Sequence, residues 1–480
     1  FWLKRVWMCL SFGRCERGAD FYRLGYAAAL RGGVPSCSST ADGLWTTYTN
    51  GTLRLLAAPG AKNASSLELS VADLGGRLQR LRPGEADASV GRRSYQAVLG
   101  PQLTRHLGFE GVEVSSSLHT RSEIHLEPQP RRQLQRRLAD AAARIQPSVY
   151  LLVLDGVSRA ALEALGRRTW AFLHSSKAAG RAYRVFDFAR FHAYAGGTAA
   201  NMLPALSGHP YDARRLDGVR RGTWRCAAIA GSVADEELLW RIFKRQGYVT
   251  GFGGSGCNGL VGTRYCKRWL RSFDHVAPAL ETLAHCPSQH EWRGLATPGG
   301  GCVGSLRPHE HLLRYFERFF STYQDQPAFA YLHLEAAHDH LEALLLLDAA
   351  LARHLRQLAS LPEAARPLLL LAGDHGPLRH CDWANPVSLL MLPQWLPARW
   401  EVWARVARNL ARNRRILVSW LDVYSALRAV AENGRLFLFL LFAFASYYRP
   451  PSCCFPSSSS CSCSSFPLLL LLLFALLYRC

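Results

Sequence analysis

Residues 147–156, PSVYLLVLDG, form an apolar run opened by Pro147 and closed by Asp155-Gly156. That pattern suits a strand buried on both faces that ends in a tight turn. Helical periodicity follows at once in ALEALGRRTWAFLHSS (161–176). The alternation continues through DEELLWRIFKRQGYVTGFGG (235–254), where a helix is expected to end at Gly247 before a strand, and through HEHLLRYFERFFSTYQDQPAFAYLHLE (309–335). It closes with the helix ALLLLDAALARHLRQLASL (343–361) and the strand PLLLLAGDHG (367–376). Strands alternating with helices over this length predict an α/β fold with a mostly parallel sheet covered on both faces.

Outward from this core the texture changes. Residues 1–146 are expected to form a mixed, partly ordered region, with a basic surface helix in PRRQLQRRLADAAARIQ (130–146) leading into the first core strand. The α/β domain itself is expected to span 147–433. From 434 to 480 the apolar runs LFLFLLFAFASYY and PLLLLLLFALL flank the low-complexity SCCFPSSSSCSCSS. Each apolar run falls short of the roughly 20 residues of a spanning helix. This tail is expected to lie outside the fold. It reads either as a lipid-anchor signal or as sequence of no structural role.

A chain of 480 residues with 49% hydrophobic content can bury a substantial core. Its net charge of +21 would suit a nucleic-acid binder. The basic residues are nevertheless spread along the chain, almost all are Arg, and Lys stands only at positions 4, 62, 177, 244 and 267. No basic cluster with interleaved aromatics is present, so no nucleic-acid partner is expected. Cys226, Cys257, Cys266, Cys286 and Cys302 lack C-x-x-C spacing and favour disulfides over a thiolate metal site. With the glycosylation sequons at Asn50 and Asn63, they point to the secretory pathway, with an extracellular or membrane-associated lumenal location. The chain opens on Phe1, so the absence of a leader carries no information, and an N-terminal segment or the apolar tail could supply membrane association.

In an open α/β sheet ligands bind beyond the carboxyl ends of the strands. Two strands deliver polar residues there, Asp155 from YLLVLDG and Asp374-His375 from LLLLAGDHG. Two carboxylates and an imidazole make a hard oxygen and nitrogen set suited to Zn²⁺ or Mn²⁺. The third element is FDFARFHAYAGGTAANMLPALSGHP (186–210), where Gly196 and Gly197 precede Thr198 at an expected helix start. A hydroxyl so placed can be ionised by a metal and attack phosphorus or sulfur, while helix N–H groups favour an anion. Read singly, Asp155 is equally a turn residue and Thr198 equally an N-cap.

Taken together and in order, these segments resemble a eukaryotic family of uncharacterised, sulfatase-like proteins in the alkaline phosphatase superfamily. The resemblance rests on PSVYLLVLDGVSRA (147–160), FARFHAYAGGTAANMLPALSG (188–208), ADEELLWRIFKRQGYVTGF (234–252), FAYLHLEAAHDH (329–340), GDHG (373–376) and SWLDVYSAL (419–427). It implies a three-layer alkaline-phosphatase-like sandwich and a metal-dependent hydrolase or transferase acting on small-molecule, glycan or lipid esters of phosphate or sulfate. It further implies Asp155, Asp374 and His375 as ligands of the ion that activates Thr198, with Asn201 or nearby N–H groups holding ester oxygens. Members with two ions offer a second site, for which this chain presents His338 and Asp339, and less directly His340. No C/S-x-P-x-R motif stands at the nucleophile position, so formylglycine chemistry is not expected.

Two departures bear on activity. After GDHG the family carries about a dozen residues more than GPLRHCDWANPVSLLMLP (376–393) provides, although His380 could replace a lost ligand. Residues 253–258, GGSGCN, lack an acidic pair. These features open the alternative of a catalytically inactive binding glycoprotein.

Overall fold

A computed structural model describes Tyr22, Arg23, seven strands between residues 46 and 126, and residues 146–433 apart from 176–178, 211–233, 255–268, 270–271, 278–305, 339–340 and 378–380. Residues 130–145 of the expected helix, both sequon asparagines, the five central cysteines and the tail from 434 lie outside the described residues. The early strands are β1 (Thr46–Thr49), β2 (Thr52–Leu55), β3 (Leu69–Ala72), β4 (Leu78–Leu81), β5 (Ala88–Ser89), β6 (Ser94–Leu99) and β7 (Arg121–Leu126). They form two antiparallel sheets of order β1-β2-β5 and β4-β3-β6-β7.

The central sheet has seven strands in the order β12-β11-β13-β8-β14-β15-β9. These are β8 (Val149–Leu154), β9 (Tyr183–Asp187), β11 (Val249–Gly254), β12 (His275–Val276), β13 (Ala328–Leu334), β14 (Leu368–Gly373) and β15 (Ser388–Pro393), while β10 (Phe191–His192) pairs separately with β16 (Val418–Ser419). Only β15 runs against the others. The mostly parallel sheet expected from the alternation is therefore present, and its middle strand, β8, is the VYLLVL run in which every residue is buried.

Side-chain alternation sorts the two helical layers. Val149, Leu151 and Val153 of β8, Phe329 and Tyr331 of β13, and Leu368, Leu370 and Ala372 of β14 face one core. Over it lie α3 (Thr198–Ser207), α4 (Leu239–Arg245), α7 (Trp395–Arg399), α8 (Glu401–Asn413) and α9 (Trp420–Asn433). The opposite faces, including Tyr150, Leu152 and Leu154, pack under α1 (Arg159–Leu165), α2 (Arg167–His174), α5 (Pro308–Thr322) and α6 (Leu344–Ser360). Each fully buried Leu or Phe contributes about 1.5–3 kcal/mol. Phe243 shows the packing: its ring stacks on Phe329 at 4.3 Å and meets Tyr248 edge-on at 4.8 Å.

One expected helix is broken. The periodic stretch 161–176 becomes α1 and α2, because Gly166 ends the first by donating to the carbonyl of Leu162 and begins the second. Elsewhere, Gly247 adopts φ +91° between α4 and β11, the left-handed conformation that glycine takes without steric penalty.

Candidate metal centre

The same alternation places the site. Val153 pairs with His333 on one side and Ala372 on the other, so β13, β8 and β14 end level with one another. Carrying each strand's facing pattern to its end brings His333, Asp155 and Asp374 onto the side covered by α3. The turn after Asp155 is made by Gly156 at φ +72°, whose N–H donates to Asp374 Oδ1 at 3.0 Å. Gly373 lies so close to the Val157 carbonyl that a Cβ would collide with it.

Asp155, Asp374 and His375 are at most 1% exposed. Asp374 Oδ1 accepts from the N–H groups of Gly156 and His375, at 3.0 and 2.8 Å. His375 Nδ1 lies 2.8 Å from the carbonyl of Gly376, so that nitrogen is the donor, and in the neutral ring Nε2 has a lone pair to present. Asp374 Oδ2 and His375 Nε2 are then left buried, with no hydrogen-bond partner, 3.5 Å apart. Nε2 is also 3.6 Å from Asp155 Oδ1, and Thr198 Oγ1 lies 3.4 and 3.2 Å from Asp155 Oδ1 and Oδ2. Two donors of a tetrahedral Zn²⁺ with bonds of about 2.0–2.1 Å stand about 3.3–3.5 Å apart. The His375–Asp155 and His375–Asp374 separations are close to that spacing, and Asp374 Oδ2 and His375 Nε2 are two buried atoms that an ion could satisfy.

Electrostatics agree. Burial opposes ionisation of Asp155, but His338, His333 and His375 outweigh it and hold its carboxyl below the usual range. Burial, and then the charge on Asp155, push Asp374 up. Two buried carboxylates close to one another raise the cost of ionising both, a cost that neighbouring positive charge relieves.

Thr198 opens α3 after the extended Gly197 and is 7% exposed. No side chain caps that helix. Asn201 is tied to the preceding loop: its Oδ1 accepts from the N–H groups of Tyr194 and Ala195, and its Nδ2 donates to the carbonyls of Ala195 and Gly197. With both donors and both acceptor positions engaged, the amide holds the 194–197 loop in front of Thr198.

His338 stands at the edge of the cluster, with its side chain 21% exposed and Nε2 3.8 Å from Asp155 Oδ1. Its ring meets that of His375 at 6.1 Å. Asp339, His340 and His380 lie outside the described residues. Among the described residues two overlapping groups could hold an ion, Asp155-His338-His375 and Asp155-His333-Asp374.

His333 escaped the sequence reading. It is 1% exposed, with Nε2 3.0 Å from Asp155 Oδ2 and Nδ1 3.0 Å from the hydroxyl of Tyr331. Burial opposes its charge, but the hydrogen bond and charge of Asp155 raise its pKa. Burial, then Asp374 and Asp155, push the Tyr331 phenol well above its usual range. The only signal for His333 was its parity with the two strand-end aspartates.

Hydrogen bonds brace the chain around Gly376 and Asp382. Gly376 N–H donates to the carbonyl of Trp383 at 2.6 Å, and Asp382 beside it receives the hydroxyl of Tyr22 on both carboxylate oxygens at 2.8 Å.

A family model described as "Protein of unknown function (DUF229)" matches residues 110–436. This span contains the one on which the motif resemblance rests. No curated protein matches the chain. Among solved structures, the C-terminal periplasmic domain of EptC from Escherichia coli in complex with zinc is similar at 11% identity and TM-score 0.40, over 60% of this chain and 82% of that one. The soluble domain of lipooligosaccharide phosphoethanolamine transferase A from Neisseria meningitidis matches at 11% identity and TM-score 0.37, over 61% and 90%. A protein in the alkaline phosphatase superfamily from Vibrio parahaemolyticus matches at 10% identity and TM-score 0.35, over 55% and 69%.

Proposed function

The chain belongs to the DUF229 family, and we propose that it is a metal-dependent hydrolase or transferase of phosphate or sulfate esters, of the alkaline phosphatase superfamily kind its motifs resemble, with Thr198 as nucleophile. The observation that carries the reading is the pair of buried, unpartnered atoms, Asp374 Oδ2 and His375 Nε2, facing Asp155 and Thr198.

Asp155, Asp374, His375 and the Thr198 oxygen would hold the ion, Zn²⁺ or Mn²⁺. Bound there, it supplies Lewis acidity that lowers the pKa of a coordinated hydroxyl. Thr198 Oγ1 attacks the phosphorus or sulfur centre, the ester oxygen leaves with the bonding pair, and Thr198 carries the group. Water or an acceptor alcohol then displaces it and regenerates the hydroxyl. The N–H groups of the first turn of α3, uncapped by any side chain, face the non-bridging oxygens. His338, partly exposed beside the site, is placed either to meet the leaving group or to join a second ion with Asp339. The substrate is a small-molecule, glycan or lipid ester in an extracellular or lumenal setting; no helix among the described residues is long and apolar enough to cross a membrane.

The test is elemental analysis of the purified chain with cleavage of aryl phosphate mono- and diesters and aryl sulfate, with and without added Zn²⁺ or Mn²⁺. Near-stoichiometric metal, lost in Asp374→Asn, with metal-dependent cleavage is the expected result. A folded protein that binds metal but cleaves nothing would leave the inactive binding glycoprotein. Equal metal content in wild type and Asp374→Asn would sink the ligand assignment.

A further inference from the structure

We propose that His333 is a positioning residue for the metal centre, which clamps one oxygen of Asp155 so that the other is presented to the cation. The inference rests on the metal-dependent reading above. The two oxygens of Asp155 have different surroundings. Oδ2 receives His333 Nε2 at 3.0 Å, whereas Oδ1 faces His375 Nε2 at 3.6 Å and His338 Nε2 at 3.8 Å. The first separation is a hydrogen bond. The other two exceed one, and that to His375 is close to the spacing of donors sharing an ion. Thr198, at 3.4 and 3.2 Å, does not distinguish the two oxygens.

A carboxylate that binds a metal is ionised and only accepts, so His333 Nε2 carries a proton whether the ring is neutral or charged. A protonated nitrogen offers no lone pair to a metal. The bond that His333 already makes therefore keeps it out of the ligand set, although Asp155, His333 and Asp374 are close enough together to form one. Its other nitrogen is occupied by the Tyr331 hydroxyl, and the ring is buried, so Tyr331, His333 and Asp155 form a chain ending at the metal side of the carboxylate. Tyr331 and His333 face the same side of β13, which is what lets residues two apart bond.

The consequence is a matter of denticity. A carboxylate free to swing can bind an ion through both oxygens and fill two coordination positions. With Oδ2 held by His333, Asp155 would be turned to present Oδ1 to an ion and would be disfavoured from chelating through both oxygens. Partners that orient a ligand in this way commonly change metal affinity by about 10- to 100-fold.

The test is Zn²⁺ affinity, by competition with a chromophoric chelator, for the full chain and its His333→Leu, His333→Gln, Tyr331→Phe and Asp374→Asn variants. His333→Leu is expected to weaken binding by about 10- to 100-fold, and His333→Gln, which keeps an N–H within reach of Asp155, to recover most of it. Tyr331→Phe keeps its ring against Phe252 and is expected to weaken binding several-fold, which carries the test if the leucine variant does not fold. Wild-type affinity in both His333→Leu and Tyr331→Phe, with binding lost in Asp374→Asn, would overturn the inference and leave the metal centre standing. Loss in His333→Gln as complete as in Asp374→Asn would make His333 a ligand and also overturn it. A wild-type chain that binds no Zn²⁺ would remove the metal centre and the inference together.

Discussion

Trp420 donates its indole N–H to the main-chain carbonyl of Asp374 at 3.1 Å, tying the first residue of α9 to the strand end that carries Asp374 and His375. Both groups are buried, and Phe191 meets the indole edge-on at 5.1 Å. Trp420→Phe leaves that carbonyl unpaired. A loss of about 1–3 kcal/mol in urea denaturation, with weakened metal affinity, is the expected outcome. Unchanged affinity would show that the carbonyl needs no such anchor.

Thr198 is assigned both a ligand and a nucleophile role, and two substitutions separate them. Thr198→Ala should retain most of the metal, held by Asp155, Asp374 and His375, while ester cleavage falls by about a thousandfold or more. Thr198→Ser should keep measurable turnover. Equal activity in wild type and the alanine variant would remove the nucleophile.

Asn201 ties down the loop in front of Thr198, so its effect should be on rate and not on metal content. Asn201→Asp cannot donate to the carbonyls of Ala195 and Gly197. Turnover should fall by about 100-fold, the scale of a nucleophile displaced by an ångström, with metal stoichiometry unchanged. Loss of metal instead would place Asn201 closer to the ion than its hydrogen bonds suggest.

Away from the metal, Asp187 predicts a pH dependence. Burial opposes its charge, but His174 and Arg159 hold its pKa below the ordinary value, with Arg159 at 2.6 Å and stacked over Trp170. A carboxyl lowered on folding stabilises fully above its unfolded pKa of about 3.9 and loses that contribution as pH falls through the lowered value. Asp187→Asn should cost about 1 kcal/mol at neutral pH and flatten the acid limb of the stability profile. An acid limb identical to wild type would assign the titration elsewhere.

The framework was legible because each of its parts has a local signature. Asp155 and Asp374 close apolar runs, and Thr198 follows two glycines at a helix start, so strand ends and a helix start could be placed without knowing the sheet order. His333 could not be found that way: inside AFAYLHL a lone histidine reads as core, and only the parallel pairing of β13 beside β8 turns it towards Asp155. The bonds that Asn201 makes to residues 194–197 were not legible, because they lie in a loop that follows β10, whose partner β16 is distant in sequence. Gly166 broke a continuous periodic pattern that, by periodicity alone, supported one helix.

The reversed direction of β15 carries a consequence for how this architecture can diversify. Parallel neighbours must be joined by a crossover spanning the height of the sheet, so their connections are tied to the dimensions of the whole body. Between β14 and β15 the chain need only double back at the same end, the end that carries Asp374 and His375. Residues can be gained or lost there without moving a strand, as the shorter run after Gly376 illustrates. On the proposed reading, insertion and deletion at this connection would change what can approach Asp374 and His375, while the strand ends that carry them stay as they are.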